Sequence, residues 1–214
     1  MTVTRSLRPA TGSGSLKFID GYAFAGIGSA GFDDDDLLII GDELDNLDLV
    51  GGPGHDEIRG GAGNDVLMGG GGNGILNGED GNDDLDGQEG TEILFGGNGD
   101  DILRVGGSIP ANVAPPGVAD HDRLTGGEGN DTFGFYGVGS FEISDFTLNQ
   151  DRFFFDSEIL GITDVTQLLS YITNVIPASG NNGDIVEFVG GAATIEIIGA
   201  SVNDITIDMV VFTL

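Results

Sequence analysis

Apolar residues fall at one fixed place in every nine across the middle of the chain. From Gly51 to Arg104 the units read GGPGHDEIR, GGAGNDVLM, GGGGNGILN, GEDGNDDLD, GQEGTEILF and GGNGDDILR. The eighth place is always aliphatic: Ile58, Leu67, Leu76, Leu85, Leu94 and Leu103. The first and fourth places are always glycine (Gly51, Gly60, Gly69, Gly78, Gly87 and Gly96; Gly54, Gly63, Gly72, Gly81, Gly90 and Gly99). A pattern of six polar or glycine residues followed by three with one central aliphatic predicts a tight turn and then a short strand. Glycines at the first and fourth places suit positive φ in the turn. No unit can bury its one aliphatic side chain alone, so the units must stack, with strands about 4.8 Å apart, into a solenoid.

The pattern is worn at both ends. Counting back by nine from Ile58 keeps Leu49 and Ile40 in phase through 31–50, although the glycines there are mostly gone. Asp33 to Asp36 form an acidic run that reads as a solvated face or a further cation site. At 105–116 a Pro-containing insertion, VGGSIPANVAPP, breaks the register, which resumes as GVADHDRLT and GGEGNDTFG up to Gly134. Leu16 to Ile27 suggests one or two strands closing the N-terminal end.

Beyond Gly134 glycine falls away and aromatics enter. Phe133, Phe135, Phe141, Phe146 and Phe153 to Phe155 are expected to pack against the end of the stack, since a solenoid end needs a cap. A helix is expected over Asp164 to Val175, with Asp164 as N-cap, an apolar stripe of Val165, Leu168, Leu169, Ile172 and Val175, and Pro177 as the stop. Asp184–Val189 and Ala192–Ile198 flank Gly190-Gly191 as a hairpin. The expected fold is all-β: a parallel β-roll solenoid with a β-rich C-terminal cap containing one short helix. It divides into an N-terminal segment 1–30, a roll 31–134 (regular over 51–104, resumed over 117–134) and a cap 135–214.

The sixth place of the repeat holds Asp56, Asp65, Gly74, Asp83, Glu92 and Asp101, followed after the insertion by Asp122 and Asp131. A single Asp in such a loop can be a turn residue making a local hydrogen bond. An in-register set points to cation binding, and carboxylate donors without thiols or a His cluster favour calcium. These units resemble the RTX (repeats-in-toxin) calcium-binding family and its nonapeptide G-G-x-G-x-D-x-U-x. The resemblance implies that two nonapeptides make one turn, so sixth-place carboxylates eighteen residues apart lie above one another. It also implies that turn carbonyls, here of Gly52, Gly54, Gly61, Gly63, Gly70, Gly72, Gly81, Gly97, Gly99, Gly127 and Gly129, complete an oxygen shell around several calcium ions. One edge then carries Asp65, Asp83, Asp101 and Asp131 and is expected intact. The opposite edge carries Asp56, Gly74, Glu92 and Asp122 and is expected weakened at its middle. His55 and His121, both at fifth places on that weaker edge, read as exposed loop residues or a partner-facing patch.

The block GGEGNDTFGF, ISDF, QDRF and VNDITIDMVVFTL resembles the C-terminal region of serralysin-type metalloproteases and of alginate epimerase R-modules. That resemblance implies an uncleaved C-terminal signal read by a type I secretion apparatus, with Asp208-Met209-Val210-Val211-Phe212 in the position of its acidic-then-hydrophobic motif.

Charge narrows the partners. The 214 residues carry 36 acids against 7 Lys and Arg, a net charge of -29, which opposes nucleic acid and anionic membranes. So much like charge also opposes compaction until cations neutralise it. There is no cysteine. No apolar run approaches membrane-spanning length, and the polar start MTVTRSLRPATGSGS predicts export without an N-terminal signal peptide. Neither HExxH nor GxSxG occurs, so the expected class is a secreted bacterial calcium-binding protein without catalysis of its own. It would serve as a folding and secretion module or an extracellular interaction surface. The tail of a larger secreted hydrolase or epimerase, and a cell-surface adhesion protein, stay open as alternatives.

Overall fold

A computed structural model describes residues 15–18, 36–106, 121–177, 183–188 and 193–214. The acidic residues Asp33 to Asp35, most of Leu16–Ile27, the insertion from 107 on and the Gly190-Gly191 turn lie outside the described residues.

The chain runs through β1 (Ser15–Phe18), β2 (Leu37–Ile40), β3 (Leu49–Gly52), β4 (Glu57–Ala62), β5 (Val66–Gly70) and β6 (Ile75–Asp80). It continues as β7 (Asp84–Asp86), β8 (Ile93–Asn98), β9 (Ile102–Val105), β10 (His121–Glu128) and β11 (Thr132–Phe135). Then come β12 (Gly139–Ile143), β13 (Arg152–Phe155), α1 (Ser157–Leu160), α2 (Val165–Tyr171), β14 (Ile172–Ile176), β15 (Asp184–Phe188), β16 (Ala193–Ile197) and β17 (Val210–Val211).

Alternate strands go to alternate sheets. One sheet is ordered β1-β2-β4-β6-β8-β10-β12-β16-β15-β14 and the other β17-β13-β11-β9-β7-β5-β3. All pairings are parallel except those of β14 with β15 and β15 with β16. Two nonapeptides therefore make one turn of a parallel β-roll.

The eighth-place column is the core. In the first sheet Ile39, Ile58, Leu76, Leu94, Leu124, Ile143 and Ile197 stand in register. In the second, Leu49, Leu67, Leu85, Leu103, Phe133, Phe153 and Val210 do the same. The repeat's own members are fully buried. The column begins on Ile39, not Ile40: the first loop is one residue longer, as the nineteen-residue contact from Leu37 to Asp56 records.

Parallel winding continues past Gly134, because β12 and β13 stack on β10 and β11. Here the thin aliphatic core widens into an aromatic one, as expected. Phe146 and Phe153 stack at 4.5 Å, and Phe135 lies 5.0 Å from Phe141. The helix is shorter than its periodicity predicts. Asp164 caps it through Gln167 N–H, but the β-branched run from Ile172 goes to β14, where it pairs with β15. Of the expected stripe Leu168 is buried, while Leu169 is 60% exposed. A second helix, α1, is capped by Asp156 at its start and by left-handed Gly161 at its end. The β15–β16 hairpin forms as expected.

The glycine columns divide their labour differently from the expectation. Positive φ occurs at the second place (Gly61, Gly70, Gly97, Gly127) and the fourth (Gly63, Gly72, Gly81, Gly90, Gly99, Gly129), not at the first. The second-place position is held by Glu79 and Gln88 in two units, at φ 77° and 66°, a left-handed geometry that costs a side-chain-bearing residue about 1–2 kcal/mol. Replacing Gln88 by Gly should raise the urea midpoint by the equivalent of about 0.5–1 kcal/mol, strain relief outweighing added chain entropy. Gly81→Ala should cost more than about 3 kcal/mol, because at φ 139° its Cβ would stand 1.6 Å from the Gly63 carbonyl oxygen. Equal midpoints for the two variants would refute this division.

Candidate metal centre

Every described sixth-place carboxylate is turned inward and buried: Asp56, Asp65, Asp83, Glu92, Asp101, Asp122 and Asp131 are each 2% exposed or less. The first-place glycine permits this. A Cβ on Gly60, Gly78, Gly96 or Gly126 would fall within 2.3 Å of the Oδ2 of Asp65, Asp83, Asp101 or Asp131, the carboxylate five residues on. The first place is glycine because a carboxylate occupies the space a side chain would need.

On the edge leading into the second sheet the carboxylates form a ladder between turns. The backbone N–H of Asn46 donates to Asp65 Oδ1 at 2.6 Å, that of Asp65 to Asp83 at 2.8 Å, and that of Asp83 to Asp101 at 2.8 Å. Asp101 N–H donates to Asp131 Oδ1 and Asp131 N–H to Asp151 Oδ1, both at 3.0 Å. These contacts span eighteen to thirty residues, so they are not local turn bonds. Asp151 extends the series beyond what the repeat register shows. Its twenty-residue separation from Asp131 hides it, and the QDRF sequence is the one signal for it.

The opposite edge is less regular. Asp56 Oδ1 accepts from Leu37 N–H at 2.8 Å, and Asp122 Oδ1 from Glu92 N–H at 2.9 Å. Gly74 places no side chain between Asp56 and Glu92. A second ladder, not anticipated from the sequence, uses fifth places with opposite polarity. Asn82 N–H donates to Asn64 Oδ1, Asp100 N–H to Asn82 Oδ1 and Asn130 N–H to Asp100 Oδ1. On the other edge His55 joins it, its Nδ1 accepting from Asn73 N–H at 2.9 Å. His121 instead begins β10, with Nδ1 3.2 Å from Ser140 Oγ and Nε2 3.4 Å from Glu142. Asp145 of ISDF accepts from both Gly126 and Gly127 N–H.

Carbonyls line the turns in matching columns. The Gly52 and Gly54 oxygens face Gly70 and Gly72; Gly63 faces Gly81, Gly81 faces Gly99, and Gly97 and Gly99 face Gly127 and Gly129. At Gly61 and Gly97 the facing carbonyls belong to Asp42 and Glu79. Side chains alone do not make a cage: among the described residues no three of His, Cys, Asp or Glu are grouped to hold a metal ion.

One oxygen of each central carboxylate is left over. Asp65 Oδ2, Asp83 Oδ2 and Asp101 Oδ2 are buried without a hydrogen-bond partner, a costly arrangement for a charged group. Burial accordingly pushes the Asp101 carboxyl up to about 7 and those of Asp83 and Asp131 up to about 6, with neighbouring carboxylates adding to the rise. Asp56, Asp65 and Asp151 are raised for the same leading reason. The loops offer carboxylate and carbonyl oxygens and no softer donor set among the described residues, a chemistry that fits calcium.

The RTX calcium-binding nonapeptide repeat family matches residues 48–76, 69–103 and 117–133, with four copies in its pattern. These are RTX repeats. The RTX match ends at 133, inside the first segment of the C-terminal block. No curated protein matches the chain. Among solved structures, the extracellular lipase LipA from Serratia marcescens is similar over 86% of this chain and 41% of its own, at 18% identity and a TM-score of 0.30. The chain thus spans less than half of that lipase, a likeness too loose to carry any activity across.

The raised carboxyls set the pH response of the calcium-free RTX roll. Their folded pKa values lie above the unfolded value of about 4, so between about pH 4 and 7 the folded chain binds more protons than the unfolded one. Stability without calcium should therefore fall as pH rises through that window. In chelator, strand content by far-UV circular dichroism should be higher at pH 5 than at pH 7.5; a flat or opposite profile would show that burial does not burden these groups.

Proposed function

We propose that the chain is a secreted calcium-binding β-roll whose folding is completed by calcium outside the cell. The observation that carries this reading is the run of three stranded carboxylate oxygens, on Asp65, Asp83 and Asp101, in consecutive turns of one edge. Without a cation each turn adds another buried, unbalanced charge to a chain already at -29. With calcium, the same oxygens become ligands, shared with carbonyls from the second- and fourth-place columns and with water. Asp131 extends this edge, and Asp56, Glu92 and Asp122 supply a sparser set on the other.

The energetic scale is sufficient. If each site binds at roughly 0.1–1 mM, as extracellular calcium modules do, calcium at about ten times that value adds about 1.4 kcal/mol per site. Three sites give about 4 kcal/mol, close to the entire stability of a modest domain. Where calcium is scarce the chain stays open enough to thread an export channel, and where it is plentiful the roll winds. The C-terminal Asp208-Met209-Val210-Val211-Phe212 is the segment we assign to a type I secretion apparatus. Its hydrophobic part is tied down in the folded state, Met209 being buried and Val210–Val211 forming β17. Among the described residues no helix is long and apolar enough to cross a membrane.

Far-UV circular dichroism in chelator, titrated with calcium and separately with magnesium, tests the coupling. A coil-to-strand transition with calcium alone is expected; strand content unchanged by calcium would refute it. Asp83→Asn separates ligand from scaffold, since an amide oxygen still accepts the Asp65 N–H but carries no charge. This variant should fold more readily in chelator and respond less to calcium, and Asp56→Asn should show the smaller change. Equal calcium responses in wild type and Asp83→Asn would assign the ladder to structure alone.

A further inference from the structure

The cap contains a cavity that the RTX repeats do not use. It measures about 260 Å³ and lies between α2, the β15–β16 hairpin, β13 and the segment running into β17. Its floor is Phe153, Phe155, Leu168, Val186, Ile195 and Ile197, all 7% exposed or less. Thr206 is the one polar residue among those lining it. Its mouth is framed by Leu169 and Ile207, which are 60% and 66% exposed. The lining is thus apolar from floor to solvent, and a seven-residue helix with a single buried side chain, Leu168, forms one wall.

The surroundings restrict what can enter. None of the lining residues is Lys, Arg or His, and the chain as a whole carries a net charge of -29. No Lys or Arg occurs between Phe153 and Leu214. An anionic amphiphile, such as a fatty acid, would bring its carboxylate to an apolar mouth with no cation among the lining residues to meet it. An apolar cavity of about 150 Å³ already takes up benzene, so this one has room for roughly one or two fused rings or a short alkyl chain.

We propose that the cap is a binding site for a small, uncharged, aromatic or short aliphatic molecule, seated on Val186 and Ile195 and entering past Leu169 and Ile207. It selects against anions because its apolar walls cannot solvate a negative charge and no lining residue carries a positive one. The site is independent of the calcium reading, because none of its walls belongs to a nonapeptide.

The chain has no tryptophan, so naphthalene fluorescence is a clean probe. The full chain in calcium, with its fold verified by circular dichroism, is titrated with 1-naphthalenemethanol and with 1-naphthoate, the same ring system in neutral and anionic form. Saturable binding of the alcohol is expected, with the acid at least about tenfold weaker. Val186→Phe, which fills the floor, should abolish alcohol binding. Leu169→Lys changes only an exposed rim residue and should bring naphthoate affinity up toward that of the alcohol. Absence of saturable binding to wild type overturns the proposal. So does equal affinity for the two probes, or a Leu169→Lys chain that treats them as wild type does. If Val186→Phe fails to fold, the Leu169→Lys comparison decides.

Discussion

A buried sixth-place carboxylate, present in each repeat loop but that of Gly74, is the constraint on which the roll depends. Within the repeats it leaves room only for glycine five residues earlier, and it takes a backbone N–H from the adjacent turn to hold one oxygen. Those requirements account for the first-place glycine and for the eighteen-residue pitch. The second oxygen is what links architecture to function. A neutral acceptor such as asparagine would hold the turns together equally well, so the retention of acid at Asp65, Asp83, Asp101 and Asp131 means that the scaffold carries charge it does not need for winding. Hydrogen-bond ladders at the fifth and sixth places, running with opposite polarity, then bind each turn to both neighbours through side chains as well as through the sheets.

The eighth-place aliphatics and the sixth-place acids were legible in the sequence because each column performs one task that tolerates few residues. Columns performing less exclusive tasks were harder to read. Fifth-place residues vary among Asn, Asp, His and Thr, and any of them suits an exposed loop, so the acceptor role of His55, Asn64, Asn73, Asn82 and Asp100 emerges only when turns are stacked. Glu79 and Gln88 conceal the positive φ of the second place, since neither residue advertises it. Asp151 belongs to the same column as Asp131 but falls two residues out of step with an eighteen-residue pitch. The slip from Ile40 to Ile39 has the same origin, a loop one residue longer than the repeat. In the cap, helical spacing through Val175 was overridden by β-branched residues that found a strand partner in β15.

The two ends of the molecule obey different physics. In the repeats one aliphatic side chain per strand makes a thin core, and the hydrogen-bond ladders tie successive turns together beside it. In the cap, Phe133 through Phe155 bury large aromatic surfaces in contact with one another, a core that the repeats lack.

The pitch also governs how such a chain can change in length. Removing nine residues would send every later strand to the other sheet and carry each acid to the opposite edge, whereas removing eighteen would leave both columns intact. The segment between Asp101 and Asp131 shows the rule from the other side: thirty residues separate them, a full pitch plus a detour, and the columns resume as if nothing had intervened. Growth and loss in this architecture are quantised in whole turns, with free variation confined to the loops between them.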